Sequence, residues 1–317
     1  MLGDDVHSIT DKKKSFIMSD DTIKELDFKQ FFLKTLQGHV EAYLHPTTHF
    51  APFLNEYDLI EPFKRNKKNR MVFSTFLDEI IAASKDKNSI LHHMVEQNEF
   101  DYDKIVHDLI ALFVASAETS SHTATSMMYY LKKYPEVMKK LEAELLTHFE
   151  KFTDNEGKIT KEKIQELDYL NNVLKETLRI DPPGIESLLY KTYEDITICG
   201  VDIPKNMPIV IDILSAHYNK EEWIDPFKFI PERFDSGSKY FLKPNSDKPR
   251  SPHSFVAFSQ GSRSCPGQTL AMLELKVILS YILCKIDYEI DQKMLDKDDI
   301  GFAIASNIEL EFTVTAK

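Results

Sequence analysis

The sequence is poor in cysteine, in long apolar runs and in positive charge, and each shortage removes a class of protein. Three cysteines, Cys199, Cys265 and Cys284, in 317 residues are too few and too scattered for a disulfide framework or a zinc site, which fits a reducing compartment. No apolar stretch approaches the roughly 18 residues that a membrane-crossing helix needs. The start of the chain, Met1 to Lys14, is charged and has no apolar signal-peptide core. As written, the chain reads as neither secreted nor membrane-spanning. Acids outnumber bases 51 to 39, a formal net charge of -12, so a nucleic-acid partner is not favoured. Apolar content is plentiful, at 42% of residues, enough for one large domain or two small ones.

One stretch carries more information than the rest: Phe258-Ser259-Gln260-Gly261-Ser262-Arg263-Ser264-Cys265-Pro266-Gly267. Its cysteine lies between two glycines, just after an arginine, and immediately before the apolar run Pro266 to Cys284, which reads as a helix. Free backbone N–H groups at a helix start carry partial positive charge and lower the pKa of a nearby thiol. A thiolate built this way serves as a nucleophile or as a metal ligand. The alternative is a buried structural cysteine in a turn. Gly261 and Gly267 permit tight turns and let a flat ligand approach the backbone. Arg263 offers a fixed cation to an anionic group beside the sulfur.

This stretch resembles the haem-binding loop of the cytochrome P450 superfamily, F-x-x-G-x-R-x-C-x-G, at every defined position. The resemblance implies that Cys265 is the axial thiolate ligand of haem iron, that Arg263 pairs with a haem propionate, and that Phe258 packs beneath the haem on the cysteine side. Gly261 and Gly267 belong to the same cofactor-binding loop.

Upstream, Asp103 to Tyr134 shows a long helical pattern that ends before Pro135. Ile105, Leu109, Leu112 and Phe113 recur at helical spacing, and Met127, Met128 and Leu131 follow a polar centre, Ala115-Ser116-Ala117-Glu118-Thr119-Ser120-Ser121-His122-Thr123. Small and hydroxylated residues in mid-helix loosen the hydrogen-bond ladder. The centre is similar to the family's oxygen-binding motif, [A/G]-G-x-[D/E]-T-[T/S]. On that resemblance Ala115 faces the cofactor, while Glu118 and Thr119 are the catalytic acid and alcohol. Ser116 departs from the family, which has glycine there. A serine at that point narrows the dioxygen groove or adds a hydrogen-bond donor. His122, one turn from Thr119, reads as a surface or packing residue.

Pro135 to Lys151 reads as a charged helix and Asp154-Asn155-Glu156-Gly157 as a turn. Then Lys175-Glu176-Thr177-Leu178-Arg179 places Glu176 and Arg179 on one helix face, and Asp181-Pro182-Pro183 ends that helix. The phrase resembles the family's K-E-T-L-R-x-x-P-P. Trp223 to Phe234 is similar to W-x-D-P-x-x-F-x-P-E-R-F, and the resemblance implies that Arg233 joins Glu176 and Arg179 in a buried ion network. Ile196-Thr197-Ile198 and Pro208 to Ile213 read as short strands, with turns at Cys199-Gly200 and Lys205-Asn206. Where the family has a propionate-binding arginine before this sheet, Lys191 stands as a substitute. The tail, Phe302 to Val314, alternates like a strand; in the family a terminal hairpin lines the substrate pocket.

Asp20 to Arg70 mixes Phe28, Phe31, Phe32, Phe53 and Phe63 with charges and with Pro46, Pro52 and Pro62, and reads as short amphipathic helices. In the family this region forms the lid of the substrate channel; the alternative is ordinary core aromatics. The run Lys64, Arg65, Lys67, Lys68, Arg70 reads as a solvated face, with a membrane surface as the minor alternative.

The expected fold is mainly α with small β-sheets, a single cytochrome P450-like domain over 1–317. Relative to the family it lacks the anterior strands and early helices, so the chain reads as N-terminally truncated. The resemblance implies a haem-thiolate monooxygenase: one atom of dioxygen, the co-substrate, enters a lipophilic organic molecule and the other leaves as water. In this family the thiolate pushes electron density toward iron. Electrons come from an NADPH-dependent reductase or a similar donor. The family's location is the endoplasmic reticulum membrane, although no anchor is legible here. Two competing readings stand beside this one: a haem-thiolate enzyme of the same fold that is not an oxygenase, and a fragment that is catalytically incompetent or acts as a binding protein.

Overall fold

A computed structural model describes residues 11–45, 47, 60–83, 90–96, 102–152, 161–295 and 310–317. The fold is mainly α with small two-stranded sheets. Two compact units divide the chain, Met1–Ala115 and Ser116–Lys317.

The first unit opens with an antiparallel hairpin of β1 (Lys13–Ile17) and β2 (Ile23–Asp27), with Lys13 opposite Asp27 and Ile17 opposite Ile23. Helices α1 (Phe28–Leu44), α2 (Glu61–Ala83) and α3 (Ile90–Glu96) follow. The expectation of short helices over Asp20–Arg70 is therefore corrected: part of that stretch is a strand, and α1 and α2 run for 17 and 23 residues. The reason is apolar spacing. Phe73, Phe76, Leu77 and Ile80 recur at three- and four-residue intervals and pack with Phe16, Phe28 and Phe31 in one buried cluster. Pro62 sits in the first turn of α2, where its missing N–H removes no helical bond. Asn69, buried on α2, grips one residue of the hairpin from both sides. Its Oδ1 accepts from the Ile17 N–H at 3.0 Å and its Nδ2 donates to the Ile17 carbonyl at 2.9 Å. Lys64, Lys67, Lys68 and Arg70 form an exposed face of α2. Phe53, Pro46 and Pro52 lie outside the described residues.

The long helix α4 (Tyr102–Lys133) starts in the first unit, where Ile105 and Leu109 join its core, and ends in the second. There it is followed by α5 (Pro135–Phe152), α6 (Lys161–Gln165) and α7 (Asp168–Ile180). Residues 154–157 lie outside the described residues. Helix α7 has no side-chain cap of its own. Glu144 on α5 supplies one, accepting the N–H groups of Tyr169 at 2.8 Å and Leu170 at 2.9 Å.

Short strands β3 (Tyr190–Lys191), β4 (Ile196–Ile198), β5 (Val201–Ile203) and β6 (Pro208–Ile209) form two ladders, β3 with β6 and β4 with β5. Left-handed backbone at Cys199, Gly200 and Asn206 makes the expected turns. The strand expected over Pro208–Ile213 stops at Ile209. Asp212 instead caps α8 (Ile213–His217), its carboxylate accepting from the Ser215 N–H at 3.0 Å, and that cap overrides the β-branched run.

The chain then crosses single 3₁₀ turns to α9 (Gln268–Lys285), β7 (Ile286–Ile290), α10 (Gln292–Leu295) and β8 (Phe312–Ala316). Residues 302–309 of the expected tail strand lie outside the described residues. The described part of the tail pairs with β7, Ile286 opposite Ala316 and Ile290 opposite Phe312. Leu275, Leu279 and Leu283 of α9 pack against Leu141 and Leu145 of α5 and against Leu170, Val173 and Leu174 of α7, which places the second core beneath the segments that carry the site.

Candidate active site

The site's foundation is a charged cluster with no accessible surface. Glu176, Arg179 and Arg233 are each 0% exposed. Arg179 grips Glu176 in bidentate fashion, Nε to Oε2 at 2.8 Å and Nη2 to Oε1 at 2.8 Å. Arg233 Nε reaches Oε1 of the same carboxylate at 3.0 Å, and the Ile230 N–H donates to it at 2.9 Å. The other donors of Arg179 find backbone carbonyls: His217 at 2.9 Å, Pro226 at 2.8 Å and Lys228 at 3.2 Å. Arg233 donates to the carbonyls of Ile224, Asp225 and Lys228. One carboxylate thus serves two guanidinium groups, and carbonyls absorb the remaining N–H groups. The expected ion network is there. Arg250 extends it, donating to the Arg233 carbonyl at 2.6 Å while its guanidinium lies 4.2 Å from the centre of the Trp223 ring.

The cysteine loop is built from the next segment. Ser259 donates its N–H to the Val256 carbonyl at 2.8 Å, and Cys265 donates its N–H to the Phe258 carbonyl at 2.8 Å. Ser259 and Gly261 both adopt left-handed backbone, φ 58° and 74°. Gly261 takes that shape without a Cβ penalty. Gly267 is the N-cap of α9 and lies beside the thiol, since a Cβ built there would stand 3.8 Å from Cys265 Sγ. Cys265 and Arg263 are exposed, and Arg263 makes no hydrogen bond or ion pair among the described residues.

In the centre of α4, Ala115 and Glu118 are exposed and Ser116 and Thr119 half-buried. Thr123 is buried and donates to the Thr119 carbonyl at 2.9 Å. His122 has a more definite setting than a packing residue. Its Nε2 lies 3.2 Å from Oδ1 of the buried Asp181, whose Oδ2 accepts from Ser126 Oγ at 2.5 Å. Burial works against the imidazolium, but the Asp181 carboxylate outweighs it and raises the His122 pKa above its ordinary value.

A groove of about 360 Å³ gathers Thr119, Ser120 and Thr123 from α4 with Phe258, Arg263 and Cys265 from the loop. Leu178, Pro183, Ile213, Ala271 and Leu275 add an apolar wall. Four of the expected site residues, Thr119, Phe258, Arg263 and Cys265, therefore meet in one place. Glu118, Gly261 and Gly267 support that place from neighbouring positions in the chain. Lys191 is exposed on β3 and is not part of the lining. The donor set fits a largely apolar cofactor that carries anionic groups: a thiol and an exposed guanidinium share a groove whose walls are mostly hydrocarbon.

Comparison with known proteins bears on the same segments. The family description for Cytochrome P450 matches residues 10–312. The chain belongs to the cytochrome P450 family. Among curated P450s, geraniol 8-hydroxylase of Swertia mussotii is 30% identical over 80% of this chain and 47% of the relative. Cytochrome P450 71B14 of Arabidopsis thaliana is 35% identical over 60% of this chain and 36% of the relative. Isoflavone 2'-hydroxylase of Medicago truncatula is 27% identical over 83% of this chain and 52% of the relative. The chain thus spans about half the length, or less, of the P450s it matches. Among the described residues no helix is long and apolar enough to cross a membrane.

One residue of this P450 site escapes motif reading altogether. His217, fully buried at the end of α8, touches both the ion cluster and the cysteine loop. A histidine without metal-ligand spacing or a catalytic partner in sequence gives no local signal.

Proposed function

We propose that this chain is a haem-thiolate monooxygenase polypeptide, one P450-like domain over 1–317, in which Cys265 ligates haem iron. The observation that carries the reading is the groove shared by the Cys265 thiol, the Arg263 guanidinium and Thr119. Bound haem would supply a redox-active iron for the reductive activation of dioxygen. Cys265 would hold that iron through its thiolate, a ligand rich in electron density. Arg263 would pair with a propionate, Phe258 would pack on the cysteine side, and Gly261, Gly267 and Ala115 would leave room for the ring. Thr119 Oγ1 and the Glu118 carboxyl hold and pass the protons that dioxygen reduction consumes, with Glu118, on the exposed side of α4, collecting them from solvent. The apolar wall, which includes Leu178 and Leu275, favours a lipophilic substrate. The relatives named as hydroxylases support insertion of one oxygen atom into a C–H bond. Electrons come from an NADPH-dependent reductase or a similar donor, and the setting is the endoplasmic reticulum membrane.

The test is expression of the full chain with haem supplied, followed by the absorption spectrum of the reduced, carbon-monoxide-bound protein. Thiolate ligation gives a strongly red-shifted Soret band, and Cys265→Ser removes it. A band that survives Cys265→Ser, or a chain that takes up no haem, overturns the proposal.

A further inference from the structure

We propose that His217 is a positioning residue that ties the Cys265 loop to the Glu176–Arg179–Arg233 cluster. Its functional meaning rests on the reading of Cys265 as the haem ligand; its geometry does not.

His217 closes the short helix α8 with no exposed surface. Its Nδ1 lies 3.0 Å from the carbonyl of Arg179, a group that can only accept, so Nδ1 carries the hydrogen. Its Nε2 lies 3.0 Å from the N–H of Val256, a group that can only donate, so Nε2 is bare. Two backbone groups of opposite kind, on segments 38 and 39 residues away, therefore fix one tautomer. The tie to the cluster is double, because Arg179 Nη1 donates back to the His217 carbonyl at 2.9 Å. The tie to the loop is direct, because the Val256 carbonyl closes the first turn of the loop onto the Ser259 N–H. Phe255, the neighbour of Val256, stacks on the imidazole at 5.4 Å with 16° between the planes.

An imidazolium cannot make this pair of bonds, since a protonated Nε2 would meet the Val256 N–H head on. Burial, reinforced by the Arg179 cation, pushes the His217 pKa down to about 4 and keeps the ring neutral over the ordinary range. Arg179 is the charged group on the helix side, with Glu176 as its counter-ion, and Phe255 and Val256 bring no charge from the loop side. A phenylalanine would pack against Phe255 equally well. What the histidine adds is a donor and an acceptor at opposite ends of a rigid ring.

Hydrogen–deuterium exchange of the full chain, wild type against His217→Phe and His217→Gln, tests this tie. In His217→Phe the amides from Val256 to Cys265 should exchange about tenfold faster or more, while those of α9 stay unchanged. His217→Gln should restore part of the protection, because its amide again offers both a donor and an acceptor. In the wild type, imidazole nitrogen shifts should report the Nδ1–H tautomer and no titration until about pH 4. Loop exchange that ignores His217→Phe, or a His217 that titrates at the ordinary value, overturns the proposal. If His217→Phe does not fold, the glutamine variant and the wild-type titration decide the matter. The carbon-monoxide spectrum separates the two readings. Cys265-ligated haem with a loop indifferent to His217 sinks the tie alone. A loop that loosens in a chain taking up no haem sinks the ligand reading alone.

Discussion

Helix α7 and the cysteine loop lie one histidine apart and treat their charged groups in opposite ways. On α7, Glu176 and Arg179 give up all contact with water and are compensated, atom by atom, by Arg233 and by carbonyls. On the loop, Arg263 and Cys265 stay exposed, with no hydrogen-bonding partner for the guanidinium among the described residues. Desolvated charge is tolerable only where every partner is already in place, so the cluster has no capacity left for chemistry. Unpaired groups along an apolar groove are what a ligand requires. The same unit thus holds a finished charge network and an open one, and the difference separates support from function.

The sharpest way to break the comparison is Glu176→Gln. It leaves two guanidinium groups without a buried counter-charge and should cost about 3–5 kcal/mol in urea unfolding. A loss under about 1 kcal/mol would mean that the cluster is no foundation. Next in size is a pH effect. His217 has a folded-state pKa of about 4 against an ordinary 6.5, so the folded chain binds fewer protons than the unfolded one between those values. Stability from this residue is complete above about pH 6.5 and declines as the pH falls toward 4, by about 3 kcal/mol. The difference between wild type and His217→Gln across that interval isolates it from the carboxylates.

A third test concerns the pair of His122 on α4 with Asp181 at the end of α7, whose sign is opposite. His122 has a raised pKa, so its contribution is complete below the ordinary histidine value and is lost as the pH rises through the raised one. Asp181→Asn should cost about 1–3 kcal/mol, more at pH 6 than at pH 8, and equal losses at the two values would refute an ion pair. The smallest effect sharpens the contrast most. Cys265→Ser and Arg263→Ala, both at exposed positions, should shift unfolding by no more than about 0.5 kcal/mol. Their cost should fall on haem uptake instead, read from the Soret band.

How much of this was legible in the sequence depends on the range of each interaction. The loop from Phe258 to Gly267 carries its motif at fixed spacing, which is what makes its family legible, and the extent of α4, which ends before Pro135, is legible as well. The cluster was reachable through two phrases, since Glu176 and Arg179 are one turn apart and Arg233 sits in a motif of its own. The pair of His122 with Asp181 and the bonds of His217 were not reachable. Their partners lie 59, 38 and 39 residues away and leave no local pattern. The β1–β2 hairpin lies partly in a stretch that reads as helical, and in the β7–β8 ladder the alternation of the tail shows a strand without naming its partner. At Ile213 a local cap won over β-propensity.

Asn69 has a consequence for the first unit that outlasts any question of chemistry. By holding both the N–H and the carbonyl of Ile17, it reads a single rung of the hairpin. A slip of one residue would turn Phe16 out of the aromatic cluster and put Ser15 or Ile17 in its place. The amide therefore acts as an index pin, and of all the ways β1 and β2 could lie across α2 it admits one.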